Sequence, residues 1–176
     1  TGNAWSVLSE INYNKTQVGS THPEGRLSAC CDMNDEQTGI VCFGGAGLEG
    51  DFDDTWIFNL TTKRWSEILP ADGKRPLPRF GAVCGFKRGR FLITVGSDID
   101  GKLHQDTLIL TLATRLWATG PVPPFRKTDA QGCLIADALF ATTGIDDDEV
   151  PSNDVWRLDW DEFIWRRVVA NEVIPP

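Results

Sequence analysis

Tyrosine occurs once (Tyr13) and histidine twice (His22 and His104) in the 176 residues. Neither histidine belongs to an HxH or HExxH arrangement, and each stands in a polar stretch beside turn residues. A surface place is therefore expected for both, and a histidine-built metal or acid–base centre is not. GxSxG, the phosphate-cradling GxxxxGK[ST] loop and CxxC are all missing. Ser28 and Ser97 have no base near them in sequence, which leaves nucleophilic catalysis without a carrier. Cysteine is present as an odd five (Cys30, Cys31, Cys42, Cys84, Cys133) without zinc-binding spacing. Cys31, Cys84 and Cys133 stand in apolar runs at similar distances ahead of a glycine, so they read as small packed hydrophobes in a reducing compartment, cytoplasmic or nuclear. Basic residues are outnumbered, 17 against 25 acidic, for a net charge of −8. A nucleic-acid binder needs a basic face to displace phosphate counterions, so that partner is not expected. No apolar run approaches the ~20 residues that cross a bilayer, and no signal peptide is visible, so no membrane partner is expected. There is no initiator methionine, as expected of a chain that is processed or belongs to something longer.

What is present is a pattern written three times. Residues 54–65 read DTWIFNLTTKRW, 106–117 read DTLILTLATRLW and 154–165 read DVWRLDWDEFIW. The Asp-to-Trp interval is 11 in each copy (65−54, 117−106, 165−154), and the Trp-to-Trp period is 52 and then 48 (117−65, 165−117). Gly45, Gly96 and Gly144 stand 9 or 10 residues ahead of the three aspartates (54−45, 106−96, 154−144). Apolar content of 41% with 24% charge predicts a soluble globular chain with room for a sizeable core.

Short runs rich in β-branched and aromatic residues, bounded by Gly, Pro and Asp, predict strands. In the first unit they cover 26–31, 38–45, 54–60 and 64–68. The second unit has 79–86, 91–96, 107–112 and 116–119, and the third 130–135, 138–144, 155–160 and 164–169. Residues 1–9, with Trp5 in the place of Trp65, read as the outer strand of a preceding unit. No stretch keeps helical periodicity. A four-stranded unit recurring every ~50 residues is a propeller blade. The expected fold is thus all-β: a β-propeller segment over 1–176 with blades at 26–69, 79–120 and 126–170 and one extra outer strand.

The residues resemble kelch repeats. An apolar run enters Gly44-Gly45, Asp54 precedes an aromatic-rich strand, Thr62 stands three residues before Trp65, and a Pro-x-Pro-Arg lead-in occupies 76–79. Gly96 and Gly144 depart from the doublet by following Val95 and Thr143, Leu108 stands where Trp56 and Trp156 recur, and Glu162 replaces the repeat Thr. The resemblance implies that first strands line a central channel and that Trp65, Trp117 and Trp165, on outermost strands, fill the space between blades. It also implies a protein-interaction module without a cofactor; kelch-like copper oxidases use tyrosine and histidine ligands that are nearly absent here. The alternative is an enzyme or regulatory domain with a pocket at the channel mouth, such as the kelch part of a ubiquitin-ligase adaptor or phosphatase. Propellers close with typically 4–8 blades. Three blades are therefore expected to belong to a larger ring, six-bladed or completed by a second polypeptide.

Carboxylates recur between the second and third strands of each unit: Glu49, Asp51 and Asp53; Asp98 and Asp100; Asp146, Asp147, Asp148 and Glu149. Blade symmetry puts them on one face. They read either as a surface for a basic partner or as solvated turns. Asp98-x-Asp100-Gly101 lacks the rest of a calcium-loop spacing, so no metal is assigned. Arg26, Arg79 and Arg126 enter the first strands near that face. They either neutralise the acidic loops or grip a carboxylate of an acidic peptide at the channel mouth. Sequons at 14–16 and 59–61 read as chance.

Overall fold

The computed structural model describes residues 21–169, whose regular structure is entirely antiparallel β. The first sheet holds β1 (Cys30–Met33), β2 (Gly39–Phe43), β3 (Thr55–Asn59) and β4 (Arg64–Glu67) in that order. The second holds β5 (Val83–Lys87), β6 (Arg90–Thr94), β7 (Thr107–Thr111) and β8 (Leu116–Thr119). In the third, β9 (Gln131–Ile135), β10 (Ala138–Thr142), β11 (Val155–Asp159) and β12 (Trp165–Val168) repeat the order. These three sheets are the blades, and β5 packs between the equivalent strands β1 and β9. The strand expected at 1–9 lies outside the described residues.

Each blade buries one sheet face against its neighbour. Cys30, Val41 and Phe43 of blade 1 meet Phe86, Phe91, Ile93 and Leu110 of blade 2. Val83, Leu92 and Ile109 of blade 2 meet Leu139, Leu158 and Trp160 of blade 3. Two repeat tryptophans sit in these junctions: Trp117 packs edge-on against Phe43 at 5.5 Å and Trp165 against Phe125 at 5.2 Å. Trp65 packs within its own blade on Phe58, 5.1 Å away.

The first strands of blades 1 and 2 begin four residues later than the sequence pattern predicts (30−26, 83−79) and that of blade 3 within one residue of it (131−130), and the backbone explains where each starts. Ser28, Gly81 and Asp129 adopt φ of 51°, 61° and 52°, which no strand accommodates. The residue before each makes only an isolated bridge: Leu27 with Ala46, Phe80 with Ser97, Thr128 with Ile145. The second repeat glycine is needed because those bridges come close. At Gly45, Gly96 and Gly144 a Cβ would meet Leu27 O, Phe80 O and Thr128 O at 2.8, 2.6 and 2.7 Å. The preceding position keeps the left-handed turn with other residues, Val95 at φ 54° and Thr143 at φ 58° beside Gly44 at 66°.

Main-chain hydrogen bonds then join the blades. Gly45 N–H donates to Arg79 O at 2.9 Å, Gly96 N–H to Lys127 O at 2.8 Å, and Gly81 N–H to Ser28 O at 3.0 Å. On the opposite face the acidic turn of blade 1 clasps blade 2. Asp32 accepts the Phe86 N–H (2.7 Å), and Asp35 accepts those of Arg88 (3.0 Å) and Gly89 (2.6 Å). Lys87 and Arg88 in turn pair with Asp137 of blade 3, and Arg88 with Asp161.

The cysteines require a correction. Cys31 and Cys42, directly opposite in the β1–β2 register, form a disulfide, so Cys31 is not a packed free thiol. Cys30 is buried, and Cys133 is exposed.

Candidate functional site

The loops between second and third strands share a face with the lead-ins to the first strands, and one cationic slot recurs there. In blade 1, Arg26 holds Asp54 through both guanidinium nitrogens (Nη2 to Oδ2, 3.0 Å), donates to Gly44 O at 3.0 Å and lies 4.0 Å from the centroid of the Phe52 ring. In blade 2, Arg79 holds Asp106 in the same fork (3.0 Å) and donates to Val95 O at 3.3 Å; its side chain is 0% exposed. Bidentate pairing of this kind fixes direction as well as charge. Blade 3 fills the slot with Lys127, 4% exposed, whose Nζ donates to Ser152 Oγ at 2.8 Å. Burial lowers the Lys127 ammonium from its usual range. Asp154, the third repeat carboxylate, is held by Arg167 instead.

Arg126 stands one residue before the slot. It is exposed, donates to Gln105 Oε1 at 2.8 Å and approaches Asp147 at 3.6 Å. Of the three arginines, Arg26 and Arg79 are thus committed to Asp54 and Asp106, neither of which belongs to the acidic loops, and only Arg126 faces outward.

The loop carboxylates divide by partner. Asp98 Oδ1 accepts the Lys102 N–H at 2.9 Å, and Asp146 Oδ1 accepts those of Asp148 at 3.1 Å and Val150 at 3.0 Å. Both close their own loops, the turn chemistry expected of aspartate. Asp53 is 3.3 Å from Arg75, which also holds Glu67 at 2.6 Å. The Asp51 oxygens are enclosed. Asp100, Asp147 and Asp148 are exposed. The tips of the first two loops add apolar residues beside them, Leu48 at 100% and Ile99 at 64% exposure.

His104 departs from the expected surface role: it is 6% exposed and its backbone N–H donates to Gly96 O at 2.8 Å. It occupies the position two before the repeat aspartate, where blade 1 has Phe52 and blade 3 Ser152 (106−2, 54−2, 154−2). Burial is the main cause lowering its pKa and the Arg79 charge the second; Lys102 adds to them, while Asp106 and Asp98 act the other way, with Nε2 3.9 Å from Asp98. The folded state therefore takes a proton less readily than the unfolded chain, whose histidine titrates near ~6.5. Stability should fall as pH drops below ~6.5 and level off below the folded pKa. His104→Phe, the residue of blade 1, should flatten that part of the profile. Denaturant midpoints between pH 7 and 5 check this, and an unchanged slope would count against it.

On the channel side, β1, β5 and β9 frame a concavity lined by Cys31, Asp32, Cys84, Phe86, Cys133 and Leu134. Asp32 and Asp35, which both line it, are occupied by the N–H groups of Phe86, Arg88 and Gly89. Among the described residues no group of three His, Cys, Asp or Glu side chains is placed to hold a metal ion.

The chain matches the KLHDC2/KLHL20/DRC7 Kelch-repeats domain over residues 5–176. It is 23% identical over 147 residues to Kelch domain-containing protein 1 of Mus musculus, covering 81% of this chain and 35% of that protein. Adagio protein 3 of Arabidopsis thaliana is 33% identical over 78 residues, 43% of this chain and 12% of the relative. The solved structure of YjhT shares the fold with a TM-score of 0.70 at 17% identity, over 82% of this chain and 52% of that one. The chain thus spans well under two thirds of each of these proteins. With registered blades, a repeating glycine junction and a match over nearly its whole length, this chain belongs to the KLHDC2/KLHL20/DRC7 Kelch-repeats domain family.

Proposed function

We propose that the chain is a non-enzymatic protein-interaction module whose loop face takes a basic, partly apolar segment of a partner protein. One observation carries this reading. Half-buried Arg26 and buried Arg79 are spent on Asp54 and Asp106, so they leave the charge of Asp100 and Asp148 at the surface uncompensated. Exposed Leu48 and Ile99 stand at the tips of neighbouring loops. Carboxylates around apolar tips suit a ligand that brings lysine or arginine together with aliphatic side chains. The remaining blades of the ring, from more of the same polypeptide or from a second one, would cover the outer sides of blades 1 and 3 and extend this face.

Surface charges of this kind act mainly on encounter. Asp100→Asn together with Asp148→Asn should slow association with a captured partner by roughly three- to tenfold and flatten its salt dependence. Asp161→Asn on the opposite face is the control. Equal kinetics for all variants would overturn the proposed face.

A further inference from the structure

Strand alternation separates the adjacent residues Cys30 and Cys31. Cys31 projects to one face of blade 1, where it is bonded to Cys42. Cys30 projects to the other face, into the cluster shared with blade 2, and Cys84 of β5, a strand packed on β1, lies against that same cluster. Successive Cβ atoms of a strand point apart, so Cys30 and Cys31 cannot join each other, and each has a partner on its own side.

We propose that Cys30 and Cys84 form a second disulfide, across the junction of blades 1 and 2, when they meet a small-molecule disulfide such as oxidised glutathione. Cys84 is the entry point, because it is partly exposed and lines the channel-side concavity, whereas Cys30 is buried. The Cys84 thiolate attacks one sulfur of the oxidant and releases one glutathione thiolate. Cys30 then attacks the Cys84 sulfur of the mixed disulfide and releases the second. The two protein thiols lose two electrons, the oxidant becomes two glutathione thiols, and the protons pass to those products. Burial pushes the Cys84 thiol well up, which makes the exchange wait on brief opening of the concavity.

The result is two sulfur bridges in series, from β2 through β1 to β5. The second closes a separation of 54 residues (84−30), against 11 for Cys31–Cys42, and so constrains the unfolded chain more.

The test treats the full-length protein with oxidised glutathione, alkylates the remaining thiols, and maps the peptides by mass spectrometry. A Cys31→Ser/Cys42→Ser variant, run beside the unmodified protein, makes any bridge from the peptide holding Cys30 report Cys30 alone. The expected result is a Cys30–Cys84 link, lost on reduction, with a higher thermal midpoint. Cys84→Ala should lose both the link and the rise, and Cys133→Ser should keep both. Cys30 and Cys84 still fully alkylated while Cys133 is glutathionylated would overturn the proposal. So would a Cys84 that stops at the mixed disulfide.

Discussion

Gly96→Ala should cost the fold about 3 kcal/mol or more, against about 1 kcal/mol for Gly101→Ala a few residues away. Both glycines have positive φ, 93° and 79°. Conformational preference alone would therefore make the two substitutions similar. The difference lies in the space: a Cβ at Gly96 meets Phe80 O at 2.6 Å and Ala82 N at 3.1 Å, whereas nothing lies within 4 Å of one at Gly101. Neither obstacle is a side chain that can swing aside. Relief would require the lead-in to blade 2 to move, and the same glycine donates to Lys127 O of blade 3. Denaturant unfolding of the two variants side by side checks this. Equal losses would mean that the backbone approach at Gly96 is unimportant.

The second large effect concerns the buried slot. Asp106→Asn should cost about 3–5 kcal/mol, because it strands a guanidinium that is 0% exposed. Arg79→Met should cost less, about 2–3 kcal/mol, since the carboxylate left behind is 33% exposed and water can solvate it. Blade 3 shows what lysine needs in this place: a serine at the neighbouring position, as in the Lys127–Ser152 pair. Arg79→Lys alone places an ammonium beside buried His104, so Arg79→Lys/His104→Ser should be more stable than Arg79→Lys. Calorimetric midpoints of the four variants decide the order, and a double variant no better than the single would break the equivalence of the slots.

The blades were legible because each copy meets the same surroundings, so the same residues recur at fixed spacing. Strand starts were not. Ser28 takes the left-handed turn without being glycine, and serine does not mark that conformation in a sequence. The slot was misregistered by one in blade 3. An alanine three residues beyond the cation recurs at Ala29, Ala82 and Ala130 (26+3, 79+3, 127+3), and following it leads to Lys127 rather than Arg126. The polar neighbours of His104 suggest a surface residue, whereas its place in the repeat, shared with Phe52 and Ser152, sets it beside the slot cation. The clasping roles of Asp32 and Asp35 depend on main-chain donors more than fifty residues away, for which the local sequence carries no sign. The pairing of Cys31 with Cys42 likewise needed the register of β1 on β2. Within the acidic loops, composition named the carboxylates, but only geometry separates Asp98 and Asp146, which close turns, from Asp100 and Asp148, which face outward.

The junction between Gly45 or Gly96 and the blade that follows is made by main chain alone. What one unit asks of its successor there is a carbonyl oxygen, which every amino acid carries; an arginine supplies it in one case and a lysine in the other. A unit copied in tandem could dock at once, before any side chain had adapted, and its copies could then drift apart while the glycine stayed. That leaves room for three units of one chain to keep a common joint while their loops diverge into an aliphatic tip, a histidine-backed turn and a run of aspartates.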